Sequence, residues 1–213
     1  MQVLHTTEWN ASCAEFICDS GMVKKNLTSL HHGIQRCRKC RLSETRTHAV
    51  PGEGPCSARI MFIGEAPGEK EDQDGRPFRG RSGRFLDELL ASVGMARDEI
   101  YVTSSVKCRP PGNRDPRPDE LQTCRDAWLE QQIEILDPDL VVLLGKTALK
   151  QVLDEGGPLR EVHGHLTWDC GRAILPTYHP AAGMRFPSIR RRMQQDFERI
   201  GGQSGPGIHD NVQ

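Results

Sequence analysis

An apolar run, Ile60–Ile63, stops abruptly at Gly64-Glu65-Ala66-Pro67-Gly68 and gives way to a loop dense in both signs of charge. Gly80 and Gly83 then lead into Phe85-Leu86-Asp87-Glu88-Leu89-Leu90, whose apolar positions have helical spacing. Buried strand, long polar loop and helix, in that order, set the loop at the strand's carboxyl end, where open α/β sheets carry their ligand crevice. No Lys-Ser/Thr pair follows the glycines, so this is not a phosphate loop of the Walker type. Gly64-x-x-x-Gly68 also lacks the dinucleotide spacing. The stretch predicts a site for something other than a nucleoside triphosphate or a nicotinamide, with Phe78 offered as a flat surface.

The rest of the chain repeats the alternation. Strands are predicted over Ile100–Val106, Leu140–Leu144 and Ala173–Thr177. Helices are predicted over Leu27–Ile34, Gly83–Val93, Pro118–Leu136, Ala148–Leu153 and Ser188–Ile200. Gly145-Lys146-Thr147 reads as the opening of a helix, because the upstream glycine of a phosphate loop is missing. The stretch 156–169 reads as loop plus a short edge hairpin. Pro110, Pro111 and Pro116 stiffen the loop after the second strand. The expected fold class is α/β: a three-layer α/β/α sandwich around a central four-stranded parallel sheet. The 213 residues suffice for one substantial core. Residues 1–26 read as an N-terminal extension, 27–200 as the domain, and 201–213 as a disordered tail.

The net charge of -1 argues against a general polyanion binder, but arginine makes up 21 of the 28 basic residues and is clustered. Guanidinium forks suit phosphate oxygens. No long apolar stretch and no leader pattern is present, so a cytoplasmic or nucleoid location is expected, with no membrane partner.

Eight cysteines are many for such a setting, where disulfides are disfavoured and metal ligation becomes the leading account. Cys37 and Cys40 form a C-x-x-C pair. Cys108 stands at a strand end and Cys124 in the next helix. Four such thiolates fit Zn²⁺ or an iron–sulfur cluster, and spacing alone leaves the metal open. The lesser alternative is that Cys108 and Cys124 are small buried apolar residues. Cys13 and Cys18 lie too far apart for the usual knuckle, and Cys56 and Cys170 lack partners at ligand spacing.

Taken together, several pieces closely resemble the iron–sulfur uracil-DNA glycosylases of prokaryotes, the fourth family of that superfamily. They are Cys37-x-x-Cys40-x-Leu42, Gly64-Glu65-Ala66-Pro67-Gly68 and Gly75-Arg76-Pro77-Phe78-x-Gly80-x-Ser82-Gly83. Lys107-Cys108-Arg109-Pro110-Pro111-Gly112-Asn113-Arg114, Cys124 and His179-Pro180-Ala181 complete the set. The resemblance implies a four-stranded parallel sheet and a structural 4Fe-4S cluster on Cys37, Cys40, Cys108 and Cys124. It also implies hydrolysis of the N-glycosidic bond of uracil in DNA. One position departs: Ser104 stands where the family places an Asn whose amide reads the uracil edge. A hydroxyl cannot span both edge groups, so a substrate range widened to other deaminated bases is expected.

The chemistry needs a base held outside the stack and a stabilised sugar cation. Phe78 is expected to stack on the base, and His179 to donate to a base carbonyl as charge grows there. Glu65 or Glu71 is expected to position the water, with the alternative that this acidic run only pairs with neighbouring arginines. Gly64, Ala66 and Gly68 let backbone amides approach the base. Met184 and Arg185 resemble the family's insertion loop, and Arg109, Asn113 and Arg114 form a phosphate rail. His163 and His165 read as surface groups. The absence of a lysine among the matched pocket residues favours a monofunctional hydrolase, and a monomer is expected. Contact with a sliding clamp is left open. The competing reading is a non-enzymatic iron–sulfur nucleic-acid-binding protein, for which Glu65, Phe78 and His179 on three different loops would be superfluous.

Overall fold

The computed structural model describes residues 20–153, 157–169 and 171–202. Most of the stretch read as an N-terminal extension, and the tail from 203 onward, lie outside them. Chain order is α1 (Ser20–Gln35), β1 (Ile60–Gly64), α2 (Glu69–Asp74), α3 (Arg81–Ser92) and β2 (Tyr101–Ser104). After these come α4 (Pro118–Cys124), α5 (Glu130–Leu136), β3 (Leu140–Leu144), α6 (Lys146–Val152) and α7 (Leu159–Val162). The chain closes with β4 (Thr167–Asp169), β5 (Arg172–Thr177), α8 (Pro180–Arg185) and α9 (Pro187–Gly202).

Strand order is β2-β1-β3-β5-β4. The four expected strands pair in parallel, with Phe62 opposite Val102 on one side and Val142 on the other. The sheet is five-stranded rather than four-stranded, because β4 adds an antiparallel edge by pairing Trp168 with Ala173. β4 is the first arm of a hairpin with β5, and the residues before it carry the short helix α7 in place of the hairpin expected within 156–169. The three residues of β4 are largely exposed, so no apolar run announced it.

The apolar runs of the central strands follow from burial on both faces. Ile60, Phe62, Val102, Val142 and Leu175 face one core with Leu86, Leu90 and Phe197, from α3 and α9. Met61, Ile63, Tyr101, Val141 and Ile174 face the other with Leu129, Leu136 and Leu149. A third cluster, Leu30, Ile34, Leu42, Val106, Cys108 and Cys124, lies beneath α1. The helix expected over Pro118–Leu136 is interrupted after Cys124 by a single π-helical turn, Arg125–Leu129. Such turns often mark functional sites. Among the described residues no helix is long and apolar enough to cross a membrane.

Candidate active site and cysteine centre

The carboxyl ends of β1, β2, β3 and β5 carry the candidate pocket. β1 ends at Gly64, in register with Ser104 of β2. The β2 extension grips the turn from below: Ser105 donates its amide and hydroxyl to the Gly64 carbonyl, both at 2.9 Å. Val106 donates its amide to the Glu65 carbonyl at 3.2 Å.

Phe78 leaves the loop with φ +54, a conformation an L residue rarely adopts. Its ring reaches Gly64 so closely that a Cβ there would stand 2.7 Å from Phe78 Cζ. Gly83 admits the Phe78 carbonyl in the same way, since a Cβ would meet that oxygen at 1.7 Å. Arg97 braces the far side, with its guanidinium 5.9 Å from the Phe78 ring centre and a bond to the Pro77 carbonyl at 3.0 Å. The His179 ring lies 6.2 Å from that of Phe78, inclined by 30°. Two loops that follow different strands therefore bring these rings together.

His179 follows β5 and caps α8: its Nδ1 accepts from the Ala181 amide at 3.2 Å. Burial pushes its pKa down to about 4, and Glu71 nearby opposes that shift. Gly145, at φ +96, clears space for it; a Cβ there would lie 3.1 Å from His179 Cβ.

The two candidate carboxylates have different surroundings. Glu71 Oε1 accepts from the amides of Arg79 (2.7 Å) and Gly80 (2.8 Å), and Oε2 from that of Gly68 (3.1 Å). It ties the Phe78 loop together, and it engages the Gly68 amide that had been expected to serve the base. Glu65 accepts from the Thr147 hydroxyl at the start of α6. Asp72 turns away and is buried against the amides of Thr47 and His48. Of the neighbouring arginines, Arg76 pairs with Glu53 and Arg79 with Asp74, not with Glu65 or Glu71.

Ser104 is buried at the pocket floor, and its carbonyl accepts from Lys107 Nζ at 2.7 Å. Ala66 is half-buried and packs toward the third core cluster. Lys107 is itself fully buried and also donates to Thr103 Oγ1 at 2.7 Å, with its pKa lowered to about 8 by burial. Met184 and Arg185, expected on a loop, lie on α8; Met184 is 43 % exposed and the Arg185 guanidinium covers the Phe186 ring. Arg114 grips the buried Glu120 through two bonds, 2.6 and 2.8 Å, and Arg109 bonds Asn113 at 2.8 Å. The expected phosphate rail is thus partly committed to internal contacts.

Below this floor are four free thiols, Cys37, Cys40, Cys108 and Cys124. Arg46 links the two chain segments, donating to Cys108 Sγ at 2.8 Å and to the Cys37 carbonyl at 2.7 Å. Trp128 Nε1 donates to Cys37 Sγ at 3.2 Å, and the Lys107 amide to Cys124 Sγ. Cys108 lies within electrostatic reach of Cys40 and Cys37, and Cys124 of Cys108 and Cys40. Burial pushes Cys124 up to about 12 and raises Cys108 and Cys40. Thiols, two buried and two half-buried, that lie within one another's field and face N–H donors suit a cationic metal centre, which would favour their thiolate forms. Among the described residues, however, no three His, Cys, Asp or Glu side chains converge as one metal ion requires.

Several contributing residues escaped the sequence reading. Arg46, Trp128 and Arg97 carry no local signal, since their partners are 62, 91 and about 20 positions away. Thr147 had one: it begins the helix after the most apolar strand. His163 is not a surface group, because its Nδ1 bonds Asp196 at 3.2 Å.

A parallel sheet whose carboxyl edge brings an aromatic ring and a neutral imidazole together, beside a carboxylate, defines an α/β protein with side chains suited to a flat polar ring. Comparison with known families narrows the class. Residues 51–200 match the uracil DNA glycosylase superfamily model, and the chain belongs to that superfamily. It is 40% identical over 184 residues to the type-4 uracil-DNA glycosylase of Sulfurisphaera tokodaii, covering 82% of this chain and 83% of that protein. The type-4 protein of Archaeoglobus fulgidus is 39% identical, covering 87% and 98%, and that of Thermotoga maritima 43% identical, covering 78% and 88%.

Proposed function

We infer that this protein is a monofunctional uracil-DNA glycosylase, hydrolysing the bond between uracil and deoxyribose to initiate base excision repair. The observation that carries this reading is the placement of Phe78 and His179, their rings 6.2 Å apart and 30° from parallel, with Gly64 and Ser104 beside the Phe78 ring. A base flipped from the duplex is read by stacking and by bonds to its polar edge. Phe78 supplies the stacking face. His179 supplies a donor, because Nδ1 already accepts from Ala181 and the neutral ring carries its proton on Nε2. That donor gains most as negative charge collects on the departing base, so it favours the transition state over the substrate.

When the C1′–N1 bond breaks, its electron pair leaves with the base and the sugar becomes cationic. Glu65, whose other support is a single hydroxyl, offsets that cation and orients water toward C1′. The water oxygen joins C1′ and its proton passes to the solvent or to the base. Glu71 acts through the loop it braces. Lys107 is held beneath the floor by Thr103 and Ser104, which supports simple hydrolysis over Schiff-base chemistry.

The four cysteines fit a 4Fe-4S cluster better than a mononuclear zinc. Zinc would gather all sulfurs within about 2.3 Å of one point, whereas a cluster spreads its thiolates over a larger body. Cys37, Cys40, Cys108 and Cys124 would hold it, and its part is to brace the loops that face DNA. Exposed Met184 and Arg185 fit a wedge that fills the vacated stack.

One panel tests the reading: excision of uracil, hypoxanthine, xanthine and mispaired thymine from single- and double-stranded oligonucleotides, with iron and zinc content measured on the same sample. Uracil release without borohydride-trapped adduct is expected, from a brown, iron-containing protein. Failure to release any base would end the enzymatic reading, and stoichiometric zinc would end the cluster assignment alone.

A further inference from the structure

Behind His179 lies a second buried polar group that the chemistry above does not use. Asp196, on α9, is 2% exposed and both its oxygens are engaged. Thr177 Oγ1 donates to Oδ2 at 2.6 Å, and His163 Nδ1 lies 3.2 Å from each oxygen. A carboxylate only accepts, so His163 carries its proton on Nδ1. Gly164, at φ +70, is shaped around the same group, since a Cβ there would stand 2.2 Å from Asp196 Oδ1.

Thr177 is the last residue of β5, two before His179. Its carbonyl accepts from the Gly145 amide at 2.8 Å, while its hydroxyl is held by Asp196 on the other side. Tyr178 is held by the same group at one remove: its ring packs 4.8 Å from that of His163, and its hydroxyl accepts from Arg192 at 3.0 Å. His179 then bonds the first turn of α8. Three consecutive residues are therefore anchored, and the first two through Asp196.

We propose that Asp196 is a positioning residue for the reaction, setting the place of His179 in the pocket through Thr177 and the His163–Tyr178 stack. This rests on the reading of His179 as the donor to the departing base. Burying a carboxylate is costly unless every lone pair finds a partner. A hydrophobic contact would anchor α9 equally well, but it would leave the Thr177 hydroxyl free to rotate and the strand end free to shift. Displacement of a reacting group by about 1 Å costs on the order of a hundredfold in rate.

The test is a mutant cycle on the full-length protein, with excision followed under single-turnover and steady-state conditions. Thr177→Val, nearly isosteric, and Asp196→Asn are expected to lower kcat between about tenfold and a hundredfold, with KM for the uracil oligonucleotide little changed. Thr177→Ser, which keeps the hydroxyl, restores most of the rate. In a His179→Gln background both substitutions cost nothing further, because they act through the residue already removed. An unchanged kcat in Thr177→Val, or losses that recur in full in the His179→Gln background, overturns the proposal. Should Asp196→Asn fail to fold, the Thr177 pair decides. A His179→Gln protein with full activity would instead refute the donor role of His179.

Discussion

The Ala181 amide donates to His179 Nδ1 at 3.2 Å, so the neutral imidazole presents an N–H from Nε2 and no lone pair. Burial holds the folded-state pKa near 4, below the roughly 6.5 of an unfolded histidine. Above about pH 6.5 both states are neutral and pH changes nothing. Between that value and 4 the unfolded chain binds a proton that the folded chain refuses, so stability falls as pH falls. Below 4 the loss is complete. His31, lowered to about 4 by burial beside Tyr101, adds a loss of the same sign. Denaturant midpoints should decline from pH 7 to pH 4.5, and less in His179→Gln than in the wild type. The kcat profile should show no ionisation around pH 6.5. A wild-type limb there that disappears in His179→Gln would contradict a neutral donor.

Gly64→Ala tests the other wall. The added methyl would meet Phe78 Cζ at 2.7 Å and Cε2 at 3.0 Å, while clearing Ser104 Oγ at 3.6 Å. The ring, half-buried and at the end of a strained residue, is what gives way. Stacking is worth about 1–3 kcal/mol per base, so kcat/KM should fall roughly tenfold to a hundredfold with little change in melting temperature. Inhibition by free uracil should weaken in parallel. Unaltered inhibition would mean that the base does not rest on Phe78.

What the sequence disclosed divides along the range of the interactions. Met61 and Phe62 belong to a run apolar at every position, the mark of a strand buried on both faces, so the parallel sheet was legible. Thr167–Asp169 pairs at the edge with little buried, and the extra strand was not. Phe78 and His179 could be chosen by residue type and by their place after strands, although nothing local says that their rings face one another. Glu71 and Glu65 looked equivalent on paper. They differ because Glu71 sits in the first turn of a short helix, from which its carboxylate folds back onto the amides of Gly68, Arg79 and Gly80, a contact that needs the loop already closed. Asp196 had no signal at all, since Thr177 and His163 are 19 and 33 residues away.

That difference between the carboxylates gives a crossed prediction. Glu71→Gln replaces an acceptor with an NH₂ group facing a backbone N–H. An unsatisfied buried donor costs about 1–3 kcal/mol, so the melting temperature and the excision rate should fall together. In Glu65→Gln the amide oxygen can still accept from Thr147, which preserves the fold, but the charge opposite the sugar cation is gone. The rate should drop about a hundredfold or more, with the melting temperature held. Thermal denaturation alongside single-turnover excision separates the two. The reverse pattern, Glu65→Gln unstable and Glu71→Gln stable but inactive, would transfer the water-positioning role to Glu71.

Ser104 supplies the last prediction. Its backbone is fixed from both sides: it is the final β2 residue in register with Gly64, and its carbonyl is held by Lys107 Nζ at 2.7 Å. Only the side chain is free to vary, and it points into a space bordered by Gly64 and the Phe78 ring. One hydroxyl can satisfy one edge group of a base at a time, and its rotor accepts or donates as the base requires. Uracil and hypoxanthine should thereby be discriminated only weakly. Ser104→Asn fills the space with a fixed acceptor and a fixed donor, so a base offering the wrong edge leaves a buried group unpaired, and such mismatches reach factors of about 10⁴. The ratio of uracil to hypoxanthine excision should therefore rise at least tenfold in the variant, mainly through loss on hypoxanthine. Equal ratios in the two proteins, with neither acting on hypoxanthine or xanthine, would show that Ser104 does not set the range of bases.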